Sequence, residues 1–106
     1  MVYEFKTYRA VPGAIDKLKQ RFAEQTLPIF ERHGIEVLHC WNNTGQPDVF
    51  HYLTRFQSED ARKRAWAAFG ADTEWKTIKA ASETNGPLLA EQSVQVMAAE
   101  PFSPGE

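Results

Sequence analysis

The chain has 106 residues, of which 42% are hydrophobic and 12% aromatic, and its formal net charge at pH 7 is −2. This length predicts one domain with one core. The weakly acidic charge argues against a nucleic-acid partner, because a phosphate backbone requires a broad basic field. Cys40 has no second cysteine, the first residues lack an apolar signal segment, and no apolar run approaches the ~18 residues of a membrane span. We therefore expect a cytoplasmic protein with no membrane partner.

The first segment, Val2 to Arg9, is rich in Tyr, Phe and Thr, residue types that favour a β-strand. Successive side chains of a strand point to opposite faces. The alternation divides this strand into a face that resembles a core, Tyr3, Phe5 and Thr7, and a more polar face, Glu4, Lys6 and Tyr8.

A first helix is predicted after Pro12-Gly13, because apolar residues recur at helical spacing from Ile15 until Gly34 provides a stop. Pro28 lies inside this helix and disfavours helical geometry at the residue before it. We therefore expect a kink or a break near Thr26-Leu27.

Two β-prone runs, residues 35–43 and 48–56, are separated by a short loop that contains Gly45 and Pro47. They predict an antiparallel hairpin of strands two and three. Asn42-Asn43-Thr44 matches a glycosylation sequon, but we interpret it as part of the turn. A bulge near Asn42 would exchange the two faces of its strand.

Ser58 can cap a helix that ends at Gly70, and Asp72 can cap a further helix that stops before Asn85-Gly86-Pro87. Residues 88–99 are the fourth predicted strand. The resulting fold class is α+β, with the ferredoxin-like order β-α-β-β-α-α-β and a four-stranded antiparallel sheet. We expect this domain to cover residues 1–100 and residues 101–106 to form a C-terminal tail.

Five ordered blocks along the chain resemble the NIPSNAP family. They are Tyr3-Glu4-Phe5-Lys6-Thr7-Tyr8 before Pro12-Gly13, Thr26-Leu27-Pro28-Ile29-Phe30-Glu31-Arg32-His33-Gly34, Arg64-Ala65-Trp66-Ala67-Ala68-Phe69, Asp72-Thr73-Glu74-Trp75, and Asn85-Gly86-Pro87. The resemblance implies a dimeric α+β barrel, in which two ferredoxin-like sheets pack face to face. It implies no defined activity, since some members resemble interaction or signalling proteins, while other dimeric α+β barrels are cofactor-free monooxygenases or haem-degrading enzymes.

A homodimer is also expected on physical grounds. Helices cover only one face of such a sheet, and we expect the other face to carry Tyr8, Trp41, Phe50 and Tyr52. An aromatic patch of this size is rare on a solvated monomer, so a second copy would bury it.

We predict a cavity at this face, lined by polar and aromatic side chains. The candidates are Glu4, Lys6, Tyr8, His39, Trp41, His51, Tyr52 and Arg55. A carboxylate, an amine and a phenol could together position or deprotonate an acidic substrate. The alternative is structural, with Glu4 and Lys6 paired to each other or to Arg55.

Other catalytic and cofactor chemistry finds less support in the sequence. The spacings of His33, His39 and His51 match no metal-ligand motif, and Cys40 is interpreted as a small buried hydrophobe. No glycine-rich phosphate loop is present. Trp66, Phe69 and Trp75 have helical spacing and are interpreted as core. We predict no metal and no cofactor, and no catalytic residue can be assigned.

Two functions remain open at this point. One is a small-molecule-binding barrel without a catalytic set, which would act as a binding or interaction protein. The other is a cofactor-independent monooxygenase or isomerase that acts on a small organic substrate in the cavity.

Overall fold

The computed structural model describes residues 1–105 and contains a four-stranded sheet with helices packed on one face. The strands are β1 (Val2–Ala10), β2 (Glu36–Asn42), β3 (Val49–Phe56) and β4 (Leu89–Ala98), and the α-helices are α1 (Ile15–Arg21), α2 (Leu27–Arg32), α3 (Glu59–Ala71) and α4 (Thr73–Ser82). The strand order across the sheet is β2-β3-β1-β4, and every neighbouring pair is antiparallel. The predicted ferredoxin-like α+β fold is confirmed.

The first crossover is one helical region with an interruption. A π-helical segment, Phe22–Thr26, lies between α1 and α2, and Pro28 is the second residue of α2. The hydroxyl of Thr26 donates to the carbonyl oxygen of Arg21 over 3.3 Å. Gly34 follows the helix with φ +74°, a conformation that glycine adopts without strain. The expected irregularity before Pro28 is therefore confirmed, and it takes the form of a π-turn.

The second crossover begins with the predicted caps. Ser58 Oγ accepts from the amide of Ala61 over 3.1 Å, and Asp72 Oδ1 accepts from the amide of Trp75 over 2.8 Å. Each bond satisfies a free amide in the first turn of its helix. Helix α3 continues to Ala71, one residue beyond the stop expected at Gly70.

Aromatic side chains hold the helical layer against the sheet. Phe22 lies 4.7 Å from Tyr52 and 5.3 Å from Phe50, measured between ring centroids, and Phe30 lies 5.3 Å from Trp66. Leu18 is 1% exposed and belongs to the same cluster. The core therefore lies between β1 and β3 on one side and the helices on the other.

The expected assignment of the sheet faces is wrong for β1 and β3. Glu4 is 1% exposed and Tyr52 is fully buried, and Phe50 and Tyr52 contact the helices together with Tyr8. The opposite face of β1 carries Tyr3, Phe5 and Thr7, which pair with Arg55, Leu53 and His51 of β3. Glu4 and Lys6 thus face inward, because Arg62 and Trp66 of the helical layer compensate their burial.

The irregularity in β2 lies between Val37 and His39, nearer the start of the strand than expected. It places His39 opposite Leu53 and Trp41 opposite His51, on the face without helices. Cys40 is exposed, so its interpretation as a buried hydrophobe is wrong. After β4, residues 101–105 form a turn and a short extension, and Glu106 lies outside the described residues.

Candidate ligand-binding site

A cavity of about 450 Å³ lies between the helix-covered face of the sheet and the helical layer. Its aromatic walls are formed by Tyr8, Phe22, Trp66, Phe69 and Trp75. The last three were interpreted as core, but they are half-buried and line the cavity as well as packing on each other. The helical spacing that favoured a core role therefore also produces an aromatic wall.

A buried carboxylate organises the floor of this region. Glu4 Oε2 accepts from Arg62 Nη1 over 2.9 Å and from Trp66 Nε1 over 2.9 Å, while Glu4 Oε1 lies 3.4 Å from Lys6 Nζ. These contacts compensate the cost of removing a carboxylate from water. The expected pairing of Glu4 with Lys6 is confirmed, but the second cation is Arg62, because Arg55 binds Glu36 on the other face.

Lys6 is the amine that lines the cavity. Its Nζ lies 3.8 Å from the centroid of the Trp66 ring, within cation–π distance. Burial lowers the pKa of Lys6, and the charge and hydrogen bond of Glu4 oppose that shift. Deprotonation of this amine therefore costs less free energy than deprotonation of a lysine in water.

Two phenols meet beside Lys6. The hydroxyls of Tyr8 and Tyr52 are 2.7 Å apart, and either can donate. Burial raises the pKa of both, and in Tyr52 the rise is large, with the neighbouring Tyr8 adding to it. Both phenols are therefore neutral near pH 7 and act as hydrogen-bond donors. Tyr8 lines the cavity, whereas Tyr52 lies behind it.

A second ion pair, between Arg21 and Glu83, lies on the side of the cavity formed by α1 and the end of α4. Arg21 Nη1 donates to Glu83 Oε2 over 2.7 Å and to Ser82 Oγ over 3.0 Å, and the guanidinium lies 5.1 Å from the centroid of the Trp75 ring. Burial alone would raise the pKa of Glu83, but the hydrogen bonds from Arg21 and Lys79 outweigh it, so the pKa is lowered. Glu83 is thus an ionised partner and is poorly suited to act as a base.

The eight candidates from the sequence fall into two groups on opposite faces of the sheet. Glu4, Lys6, Tyr8 and Tyr52 lie together at or behind the cavity wall. His39, Trp41, His51 and Arg55 lie on the face that no helix covers, which we call the open face. The two groups are separated because successive side chains of a strand point to opposite faces of the sheet. No single cavity on one face can therefore contain all eight residues.

On the open face, His51 is held by its neighbours. Its Nδ1 lies 2.9 Å from Thr7 Oγ1, its Nε2 lies 3.1 Å from Asn43 Nδ2, and its ring stacks on Phe5 at 5.3 Å. Trp41 lies 6.0 Å from Phe5 and 4.6 Å from the ring of His39. The open face therefore presents an aromatic cluster with polar edges.

Arg21, Arg62 and Glu83 were missed as site residues by reasoning from the sequence. Each lies on or just after a helix whose spacing resembled an ordinary solvated face, and each meets its partner across at least 58 positions of sequence. Burial of Arg21 could not be inferred locally, since arginine is rarely buried unless it is paired.

Within residues 1–105, no three His, Cys, Asp or Glu side chains are arranged to hold a metal ion. In the same part of the chain, no helix has the length and apolar character needed to cross a bilayer. The cytoplasmic location stays a prediction from the sequence.

The model of one protein family, NIPSNAP, matches residues 3–104. The chain belongs to the NIPSNAP family. No curated protein matches the sequence significantly. Among solved structures, a NIPSNAP family protein of unknown function from Agrobacterium tumefaciens is 25% identical, with a TM-score of 0.81, and the alignment covers 98% of this chain and 92% of that chain.

Two further structures share the fold of this chain. An uncharacterized NIPSNAP domain protein from Burkholderia xenovorans is 18% identical, with a TM-score of 0.83 and coverage of 99% of this chain and 100% of that chain. A protein described as an antibiotic biosynthesis monooxygenase is 15% identical, with a TM-score of 0.63 and coverage of 95% and 100%. At these identities the similarity extends to the fold alone.

Proposed function

We propose that this NIPSNAP protein binds a small organic molecule in the cavity between its sheet and its helices. The observation that carries the proposal is the wall itself, in which five aromatic rings surround a space of about 450 Å³. Ligand sites commonly enclose about 300–1,000 Å³ and combine apolar walls with a few fixed polar groups. Lys6, Tyr8 and Arg21 are such groups here, since Glu4 and Tyr52 hold the first two from behind the wall and Glu83 holds Arg21 on the wall.

The ionisable groups of the cavity favour binding over catalysis. Glu83 is ion-paired with Arg21, and Glu4 is enclosed behind Lys6 with donors on both oxygens. A general base must be able to take up a proton and reach the ligand. The hydrogen bonds from Arg21 and Lys79 lower the pKa of Glu83, and Glu4 is 1% exposed and does not line the cavity. Binding a ligand without reaction does not require a general base.

Cofactor-independent monooxygenase or isomerase activity is the second candidate, and one observation favours it. The lowered pKa of Lys6 makes its amine the best candidate base in the cavity, within reach of a molecule that lies on Trp66. The fold likeness to a protein described as an antibiotic biosynthesis monooxygenase is consistent with this chemistry but supplies no residue for it.

We further propose that two copies pair through their open faces as a dimeric α+β barrel. Phe5 and Leu53 are only half-buried at the centre of that face, while Trp41 and Met97 are 41% and 42% exposed at its margins. An exposed apolar surface of this kind is a common mark of a protein interface. The pairing leaves the cavity untouched, because the cavity lies on the other side of each sheet.

Ligand binding is tested by native mass spectrometry of the purified protein, followed by a fragment screen read by backbone amide NMR. We expect fragments with aromatic rings to shift the amide signals of β1, α3 and α4. The variant Gln92→Trp should block binding, because Gln92 lines the cavity from the exposed strand β4. The control Gln20→Trp places the same side chain on an exposed part of α1. Equal binding by both variants would contradict the site.

A further inference from the structure

We propose that the ligand of this cavity is an organic anion, a carboxylate attached to an aromatic body, held by Lys6 and Arg21. The inference deepens the proposed small-molecule binding and rests on it. Three cationic side chains line the cavity, Lys6, Arg21 and Lys79, against one anionic side chain, Glu83. The wall therefore carries two positive charges more than negative charges. A low-dielectric cleft with charge of one sign attracts ligands of the opposite sign.

Lys6 is only partly neutralised by the protein. Its carboxylate partner, Glu4, also accepts from Arg62 and Trp66, and both of those bonds are shorter than the 3.4 Å that separates Glu4 from Lys6. Arg62 is itself bound to Glu59, but it still takes one oxygen of Glu4. An ammonium group has three hydrogens to donate, and among residues 1–105 the structure gives this one a single ion-pair partner.

Arg21 has donor capacity that its protein partners do not use. Its bonds to Ser82 and Glu83 both start from Nη1, and within the described residues Nε and Nη2 have no acceptor. No buried polar side-chain atom of residues 1–105 lacks a partner, so these two nitrogens keep some contact with solvent, and Arg21 lines the cavity. A guanidinium edge that is planar and free matches the two oxygens of a carboxylate.

The remaining polar groups of the wall also favour an acceptor ligand. When the fully enclosed Tyr52 donates its hydrogen to Tyr8, the hydroxyl hydrogen of Tyr8 is free to point into the cavity. The Thr26 hydroxyl donates its hydrogen to the carbonyl oxygen of Arg21, so it is not available to a ligand. Glu83, the carboxylate of the wall, is already engaged by Arg21 and Lys79. Gln92 adds one amide donor and one amide acceptor, so among these side chains the cavity still offers more donors than acceptors.

The aromatic body of the ligand is inferred from the position of the cations. Lys6 lies over Trp66 and Arg21 lies near Trp75, while Phe69 is 4.9 Å from Trp75 and bridges the two indoles. A flat ring placed against these side chains would stack in an offset or edge-to-face arrangement. Its carboxylate would then lie in the cavity that both cations line.

The test compares aryl carboxylates with their uncharged amides. Benzoate, 1-naphthoate and 4-phenylbenzoate are each paired with the corresponding carboxamide, and binding is measured by isothermal titration calorimetry at pH 7 with amide shifts to locate the site. We expect at least one acid to bind about tenfold or more tightly than its amide, as a charge-assisted hydrogen bond requires. The preference should decrease as salt is added.

Lys6→Met and Arg21→Met should each remove most of that preference, whereas Lys76→Met should keep it, since Lys76 is exposed on α4 and does not line the cavity. If either buried variant fails to fold, Lys79→Gln provides the same test at an exposed lining position and should reduce the preference. Equal affinity for acids and amides would contradict the proposal that the ligand is an anion, but not the proposal that the cavity binds a small molecule. Binding of none of the six compounds would overturn the aryl carboxylate, and the fragment screen would then decide separately whether the cavity binds small molecules.

Discussion

Three side chains converge on Glu4, although the sequence around it resembles a surface position of a strand. Its two oxygens contact an ammonium, a guanidinium and an indole N–H, and the side chain is 1% exposed. In the interior, such a cluster is stable only when each charge has a partner. Glu4 therefore has a structural role that is separate from any contact with ligand.

Glu4→Gln should lower the free energy of unfolding by roughly 3–5 kcal/mol, the usual cost of removing one partner from a buried ion pair. The substitution keeps the shape of the side chain but leaves Lys6 and Arg62 without their shared negative charge. Urea denaturation at pH 7 measures the change. Glu36→Gln is the matched control, because Glu36 pairs with Arg55 in solvent and its loss should cost about 0–1 kcal/mol. Equal effects at the two positions would contradict the buried network.

At the scale of elements, Asp72 joins three segments of the helical layer. It caps α4 through the amide of Trp75, and it contacts Arg32 and His33 at the end of α2, with His33 Nε2 2.7 Å from Asp72 Oδ2. His33, the Trp75 amide and Arg32 together hold the pKa of Asp72 well below its usual range. The connection matters for α4, which has no fully buried residue of its own.

The Asp72 contacts predict an acid-sensitive contribution to stability. A carboxylate whose pKa is lowered by folding contributes stability above its unfolded pKa and loses it as the pH falls toward the folded value. The free energy of unfolding of wild type should therefore exceed that of Asp72→Asn by the largest amount at pH 5. This difference in stability should decrease steadily below about pH 4. Urea denaturation between pH 5 and pH 2 gives the difference, with Asp60→Asn, an exposed carboxylate in the first turn of α3, as control. A difference that does not change with pH would refute the assignment.

The element order was predictable from the sequence because its signals are local. Ser58 and Asp72 cap the helices that they precede, Gly34 ends one, and Pro28 marks an irregularity. The faces of the sheet were not predictable. Glu4 and Lys6 point inward because Arg62 and Trp66 meet them from α3, and that pairing spans 58 residues or more. The same polar residues would point to solvent in a sheet without those helices.

The candidate site was predictable only in part for the same reason. Strand alternation predicts directly from the sequence that Lys6 and Tyr8 share one face, but the cavity that they line is on the helix-covered face and not on the uncovered face where it was expected. The opposite wall comes from α1, α3 and the end of α4, where Arg21, Trp66 and Glu83 have no local pattern that marks a cavity. A cavity is a property of the packing between layers, so composition alone could indicate its chemistry but not its location.

At the scale of the whole molecule, the two faces of the sheet have different roles. The helix-covered face encloses the cavity, and the open face leaves Phe5, Leu53 and Trp41 accessible. The strand β4 adds a long exposed edge on which Val94 and Val96 are 44% and 46% exposed. Exposed edges and apolar faces of this length favour association unless they are covered. The proposed dimer covers the open face and would leave each copy with a complete cavity. Val94 and Val96 pair with Lys6 and Glu4 on the helix-covered side, so they lie outside this interface.

Leu53→Glu should convert the proposed dimer to a monomer. Leu53 lies on the central strand β3 at the middle of the open face, and two copies of the variant would bring buried carboxylates together, which is strongly unfavourable. Sedimentation velocity should show a dimer for wild type and for Leu38→Glu, a control in which the same substitution is made at the exposed groove beside α2. The monomeric variant keeps every residue of the cavity wall and should still bind the ligands of wild type. A wild-type protein that sediments as a monomer at every concentration would exclude the pairing, and a monomeric variant that loses ligand binding would show that the cavity depends on the partner.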